Sequence, residues 1–271
     1  MDFAKRISVL ELAIAIAVGG VLAVYRVYFA GENGFTRALI GALGAVLLII
    51  FAVVAEGLRP KAADGSSTPG RGYMTLLAGS GVLLVLAAGL FWLEGNGVFT
   101  LLTLLKAAFP AACGIAALIR LKHGDRDRLS ALLCLFPVFY LCFLLLMFYR
   151  TNGRVPDERL YGFETAALIA LLLGVYLFSA TRFEKPKPRR FAVFSCLGIA
   201  AATMELTLLL LDRTMLLTVS GFGWGGATVM LGLGLQLAAG LFFPGERLPK
   251  AEEGTPESGA PESGGPEVPK A

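Results

Sequence analysis

The sequence predicts an all-α fold, a polytopic membrane bundle of about eight transmembrane helices with both termini on the cytoplasmic side. Three observations predict it. Apolar types make up 56% of the 271 residues and charged types only 16%, whereas a soluble domain carries about 25% charged residues. Mean hydropathy is +0.72. The apolar residues also gather into runs of roughly 20, the length that crosses a bilayer at 1.5 Å per residue. So few charges can cover the two ends of a bundle in lipid, but not the surface of a globule in water.

Eight runs qualify, at about 8–30, 37–57, 73–93, 98–119, 129–149, 161–181, 191–211 and 220–243. Lys5 and Arg6 precede the first, as in a signal peptide. That run is too long for one, however, and Tyr-Phe-Ala before Gly31 is a poor cleavage site, so the helix is expected to be retained. GENG at 31–34 and EGNG at 94–97 are tight turns, since Gly and Asn accept the backbone angles a turn needs. The remaining breaks are polar or basic: 59–72, RLKHGDRDR at 120–128, RTNGRVPDER at 150–159 and RFEKPKPRR at 182–190.

The eighth run is longer than an untilted span if it starts at Met215, so either the helix tilts or Met215, Leu216 and Leu217 lie along the outer interface. Its glycines, among them Gly223, Gly225, Gly226, Gly232, Gly234 and Gly240, read as close helix packing; Gly41 and Gly44 do the same in the second run. A broken helix lining a substrate site is the sharper alternative. The spanning domain therefore covers 1–245. Residues 246–271 are rich in Pro, Gly, Ser and Glu with net charge −3, and cannot bury enough apolar surface to order, so they form a disordered cytoplasmic tail.

Orientation follows from the basic residues. Of 24 Lys and Arg, seventeen fall at the N-terminus, in every second loop or in the tail, six on the opposite side, and Lys106 within a span. The basic-rich side is cytoplasmic. Tyr28, Trp92, Tyr149, Tyr161 and Trp224 then fall at the outer interface, where amphipathic rings settle. A faint echo relates the halves: Tyr25-Arg26 and Tyr149-Arg150 end the first and fifth runs, and Arg71 and Arg189-Arg190 open the third and seventh. It fits two parallel four-helix halves.

Pro137, Phe148-Tyr149-Arg150, Asn152, Pro156, Tyr161, Tyr176 and Lys187-Pro188-Arg189 resemble a pattern of uncharacterised multi-spanning membrane proteins of clostridial-type bacteria, over about 129–200. The resemblance implies a bacterial cytoplasmic-membrane protein, multi-pass, and no chemistry.

Chemistry has few places to sit. Glu205 stands inside the apolar stretch AATMELTLLLLDR, and Lys106 inside the fourth run. Counted from the outer ends, their depths are about 10 and 12 Å. A lone charge in hydrocarbon costs at least ~2.5–3.5 kcal/mol, so the two are expected to pair across the fourth and seventh helices. Glu164, about 5 Å deep, either joins them or reaches water. Thr207 offers a hydroxyl near Glu205 unless it bonds its own helix. Glu11 and Glu56 are expected to be solvated at the inner interface, and Arg26 to snorkel at the outer one. Lys106, Glu205 and Glu164 are thus the tentative substrate- or ion-binding residues.

No HExxH, GxSxG or P-loop occurs, so no enzyme activity is expected. Cys113, Cys134, Cys142 and Cys196 lie in apolar runs with no CxxC, and read as buried packing residues. No metal or other cofactor is expected. The expected partners are the lipid bilayer and other membrane proteins; nucleic acid is not expected, because the basic excess sets orientation. The Asp125–Asp127 loop and RFEKPKPRR face lipid head groups. Three function classes stay open. A non-catalytic subunit or scaffold of a membrane assembly is favoured. The alternative is a small-solute or ion transporter using the Lys106 and Glu205 pair. A lipid-modifying enzyme comes last, with no motif behind it.

Overall fold

Each apolar run becomes a helix, because in lipid every backbone N–H and C=O must find its partner within the segment. The computed structural model describes residues 3–28, 34–58, 71–94, 101–123, 132–152, 162–180, 183, 187–211 and 223–242. Among them the chain forms eight helices and no strand: α1 (Phe3–Tyr28), α2 (Gly34–Leu58), α3 (Arg71–Glu94), α4 (Leu101–His123), α5 (Phe136–Asn152), α6 (Gly162–Ala180), α7 (Pro188–Leu211) and α8 (Gly223–Phe242). The protein is an all-helical bundle, and six of its helices are long and apolar enough to cross a membrane. The other two, α5 with 17 residues and α6 with 19, rise about 26 and 29 Å.

Boundaries differ from the sequence reading where local chemistry intervenes. α5 starts at Phe136 rather than near 129, because a tight turn precedes Pro137 and the N–H groups of Val138 and Phe139 both reach the Leu135 carbonyl, at 3.0 and 3.1 Å. That turn leaves the Cys134 carbonyl without a helical donor, and the Ser179 hydroxyl of α6 donates to it at 2.6 Å. α7 starts at Pro188, whose ring fixes φ for a first helical turn and whose missing N–H costs nothing there. α4 runs on to His123, so Arg120 belongs to a helix and not to the loop in which the sequence reading put it.

The two central helices are α7 and α8. In their most apolar 18-residue stretches 61% and 78% of residues are buried, against 22% in α2. α7 packs on α1, α2, α6 and α8; α8 packs on α3, α6, α7 and α1. α3 continues to α4, α4 to α5 and α5 to α6, closing a ring through α6 and α8. α2 sits outside, on α1 and α7, and turns Leu47 and Ile50, 64% and 56% exposed, outward to lipid. The expected duplication is matched in part by this packing: α1 packs on α2 as α5 does on α6, and α3 on α4 as α7 does on α8, whereas α6 packs on α7 without an equivalent contact of α2 on α3.

Glycine sets the central contacts. Gly232 faces Leu84 and the Ser80 carbonyl, Gly225 faces the Phe91 ring, Gly234 faces Ala202, and Gly240 faces the rings of Phe178 and Phe191. Between α3 and α4, a Cβ on Gly114 would stand 2.6 Å from the Gly81 carbonyl oxygen. The packing reading of the eighth run therefore holds, and α8 is one continuous helix from Gly223 to Phe242. Met215–Leu217 and the tail lie outside the described residues.

These contacts fix which ends meet. Leu84 lies beside Gly232 and Phe91 beside Gly225, so α3 and α8 are antiparallel; the Ser8 hydroxyl donates to the Leu241 carbonyl at 2.9 Å. The start of α1 and the end of α8 thus share one end of the bundle, the one carrying Arg71, Lys122, Arg189 and Arg190. We call it the inner end. Tyr28, Trp92 and Tyr149 are exposed at the opposite, outer end. Cys113, Cys134 and Cys196 are buried as expected, but Cys142 is exposed on the outer face of α5.

Candidate functional site

Glu205 is 3% exposed. On α7 it follows Gly198 by seven residues and Ala202 by three, so the three share a face. Gly198 touches Leu171 of α6 and Leu237 of α8, and Ala202 touches Gly234. Glu205 therefore faces the junction of α6 and α8.

The register separates Glu205 from Lys106. α4 carries half-buried Lys106 and packs on α3 and α5, not primarily on α7. Gly114 of α4 lies against Val85 of α3, and Lys106 stands two turns further out, level with the end of α3. Glu205 lies level with the middle of α8. The depth difference is about 10 Å, so the register does not set the two charges at the common depth on which the expected pairing rested. Counting from the ends of the apolar runs made the two depths look equal, because it ignored how far each helix is shifted along its neighbours.

Glu164 is brought closer. Two turns outward from the Gly198–Leu171 contact stand Glu205 on α7 and residue 164 on α6. The first turn of α6 is thus opposite the Glu205 carboxyl, where a helix N-terminus favours negative charge. The Glu164 side chain lies outside the described residues. Thr203 and Thr207 donate to Ile199 and Thr203 carbonyls of their own helix, both at 2.8 Å, so neither hydroxyl is turned toward Glu205.

The interior holds more polar groups than the sequence announced. Arg120 is 2% exposed. Its Nη2 donates to the Tyr73 hydroxyl at 3.0 Å, and its guanidinium lies 4.8 Å over the Phe178 ring. Phe178 in turn stacks on Phe191 at 6.0 Å. One cation thereby ties α3, α4 and α6 together at the inner end. Glu11, expected at the interface, is instead 0% exposed. α1 begins at Phe3, so Glu11 lies two turns inside it, on the buried side with Ser8 and Ala15. Glu56 is half-buried.

Ser80 and Gln236, at 0% and 2% exposure, were not singled out by sequence. Each lies four residues inward from the Leu84–Gly232 contact, one on α3 and one on α8. They therefore stand opposite one another across the seam. Neither Ser80 Oγ nor Gln236 Oε1 has a hydrogen-bond partner. An amide in the GLGLQLAAG stretch was the signal available in the sequence.

At the outer end, the Glu94 carboxylate accepts a hydrogen bond from the Gly225 N–H at 3.0 Å. Gly223 has φ +53°, a left-handed angle that favours glycine. A Cβ there would stand 2.7 Å from Glu94 Oε1. The glycine-rich start of α8 thus makes room for a carboxylate from α3 that caps it.

Among the described residues no three His, Cys, Asp or Glu side chains gather as a metal site. No family profile, curated protein or solved structure matches the chain.

Proposed function

We propose that this membrane protein moves a small polar solute or an ion through its interior, with Glu205 as the intramembrane ionisable group. One observation carries the reading: a carboxyl on the central helix is buried by protein at the α6–α8 junction, with Ser80 and Gln236 further in and Arg120 at the inner end. Ionisable groups inside membranes are costly and mark pathways for ions, protons or solutes. The sequence alone favours a subunit or scaffold, on few polar groups inside, glycine-rich helix faces and an exposed tail, and it counts Arg120 and Glu11 among the residues in contact with water. Their burial moves the balance toward transport. In this reading the basic inner end faces the cytoplasm of a bacterial cell, in line with the Lys and Arg distribution and with the resemblance to clostridial membrane proteins, and the protein is not an enzyme.

The test is electrical. The purified protein is reconstituted in vesicles on a solid-supported membrane and challenged with protons, alkali cations and small amino acids. Currents in the wild type that vanish in Glu205→Gln, with insertion unchanged, support the reading. Equal currents in both proteins, or none in either, sink it.

The second reading, a subunit of a membrane assembly, draws on α2, whose outer face is covered by none of the described residues. Mild-detergent isolation from native membranes tests it. A stoichiometric protein partner supports it, and a protein that comes through alone does not.

A further inference from the structure

At the inner end five helices contribute to one contiguous set of side-chain contacts. The Phe178 ring of α6 lies 4.8 Å from the Arg120 guanidinium of α4 and stacks on Phe191 of α7 at 6.0 Å. Arg120 in turn donates to the Tyr73 hydroxyl of α3 at 3.0 Å. Gly240 of α8 leaves room for both rings: a Cβ on it would stand 2.6 Å from Phe191 Cζ and 2.7 Å from Phe178 Cδ2. Tyr73, Arg120, Phe178 and Phe191 are all buried. Each of the five residues lies in the terminal turn of its helix, so together they form a layer across the inner end.

From this layer one face of α7 leads to Glu205. Phe191, Ser195, Gly198, Ala202 and Glu205 follow one another at spacings of four, three, four and three residues, so they form one stripe. Gly198 touches α6 and α8, and Ala202 touches α8, so the stripe faces those two helices. Phe191 and Glu205 are about 21 Å apart by helical rise, and between them the stripe carries only Ser, Gly and Ala. Ser195 is fully buried and its Oγ has no hydrogen-bond partner. It is the first polar group that water would meet behind Phe191. A route along this face to the inner side has to pass Phe191 and the Phe178 ring stacked on it.

The layer is built to part. Arg120 stays charged whether or not a ring covers it, so it can exchange the face of Phe178 for water while keeping Tyr73. The ends of α8 and α6 are pinned beside the rings, by Ser8 to the Leu241 carbonyl at 2.9 Å and by Ser179 to the Cys134 carbonyl at 2.6 Å. Rotation of Phe178 is therefore the movement available, rather than displacement of a helix.

We propose that Arg120, Phe178 and Phe191 form the inner gate of the pathway to Glu205, closed in this structure. The proposal rests on the transport reading and deepens it, by naming what controls access to the buried carboxyl from the basic side. An apolar constriction excludes water and ions while its rings touch, and swinging Phe178 aside admits them to the stripe at Ser195.

The test is thiol accessibility in the full-length protein, in sealed membrane vesicles of either orientation. Two single-thiol proteins are compared, with the other native cysteines changed to Ala. One carries Ser195→Cys. The other keeps Cys196, which shares with Ala200 and Thr203 the face of α7 turned to Gly19 of α1. A permanently charged methanethiosulfonate applied from the inner side is expected to modify the thiol at 195 slowly behind the intact layer. Phe178→Ala should make that reaction roughly tenfold to a hundredfold faster, the order by which the two ring contacts favour the closed state. Cys196 should not respond, and reagent applied from the outer side should gain nothing. Phe178→Leu keeps an apolar side chain without the ring face, and should fall between the two. Unchanged labelling at 195 would overturn the proposal. So would acceleration at Cys196 as well or from both sides, or a Phe178→Leu protein that does not fold, because the layer would then be core packing only. The two readings fail separately. Glu205-dependent current with unchanged labelling removes the gate alone, and inner-side acceleration without current removes the transport reading and leaves a layer that only admits water.

Discussion

Glu94 Oε1 and the backbone nitrogen of Gly225 are 3.0 Å apart, so the last residue of α3 caps the first turn of α8. A helix N-terminus exposes N–H groups that its own turns cannot satisfy. Here the acceptor comes from another helix, 131 residues earlier in the chain. Glu94→Ala is expected to cost about 0.5–2 kcal/mol, and Glu94→Gln less, since an acceptor oxygen remains. Gly223→Ala should be worse than either, because it meets both a left-handed φ and the carboxylate. Reversible unfolding in mixed micelles would rank the three, and a neutral Gly223→Ala would contradict the described cap.

The glycines sort into two groups. A Cβ on Gly114 meets main-chain atoms of α3, with the Gly81 carbonyl oxygen at 2.6 Å, whereas one on Gly20 meets nothing within 4 Å. Backbone cannot rotate away as a side chain can. Gly114→Ala should therefore destabilise by about 1–3 kcal/mol. Gly20→Ala should be neutral or slightly stabilising, since Ala suits a helix better than Gly by up to ~1 kcal/mol. The same assay decides it.

Arg120 is expected to behave as a tie rather than as a generic positive charge. Tyr73→Phe removes the acceptor for Nη2 and should cost about 1.5–3 kcal/mol, the usual worth of a hydrogen bond to a charged group. Arg120→Lys should not substitute, because an ammonium cannot both stack flat on Phe178 and reach the phenol. Folding yield and melting midpoint of the two variants should fall together. A fully stable Arg120→Lys protein would argue against the tie.

Lys106 and Glu205 should act independently. The exchange Lys106→Glu with Glu205→Lys is expected to give no rescue over the single changes. Distant sites add to within about 0.3–0.5 kcal/mol. A double-mutant cycle with a coupling well above that range would mean the helices carrying them approach one another in a state other than this one.

The bundle was legible because its signal is summed over some 20 residues at a time; one misplaced residue does not alter a span. The interior was less legible. Glu205 announced itself, because a carboxylate in the middle of an apolar run has no other explanation than protein around it. Arg120 did not. It sits beside Lys122 and His123 at a run's end, where composition alone reads as loop, and only the extension of α4 and the ring of Phe178 turn it inward. Glu11 was misread for the same reason from the other side. The equal depth expected of Lys106 and Glu205 did not survive the register, a property of the contacts between helices that no single helix encodes. Ser80 and Gln236 are too small a signal until Leu84 and Gly232 set them opposite one another.

The central position of α7 and α8 has a consequence for how the protein is made. Both helices follow the other six in the chain, so a ribosome has already delivered α1 to α6 into the membrane before their common centre exists. Until then α3 presents Ser80 to lipid or to whatever shields a half-built bundle. Completion comes when the glycine-faced α8 slots against α3 and its first turn meets Glu94. A chain cut short before residue 223 would lack the piece on which the others close, and quality control in the membrane would meet it as an unfinished ring.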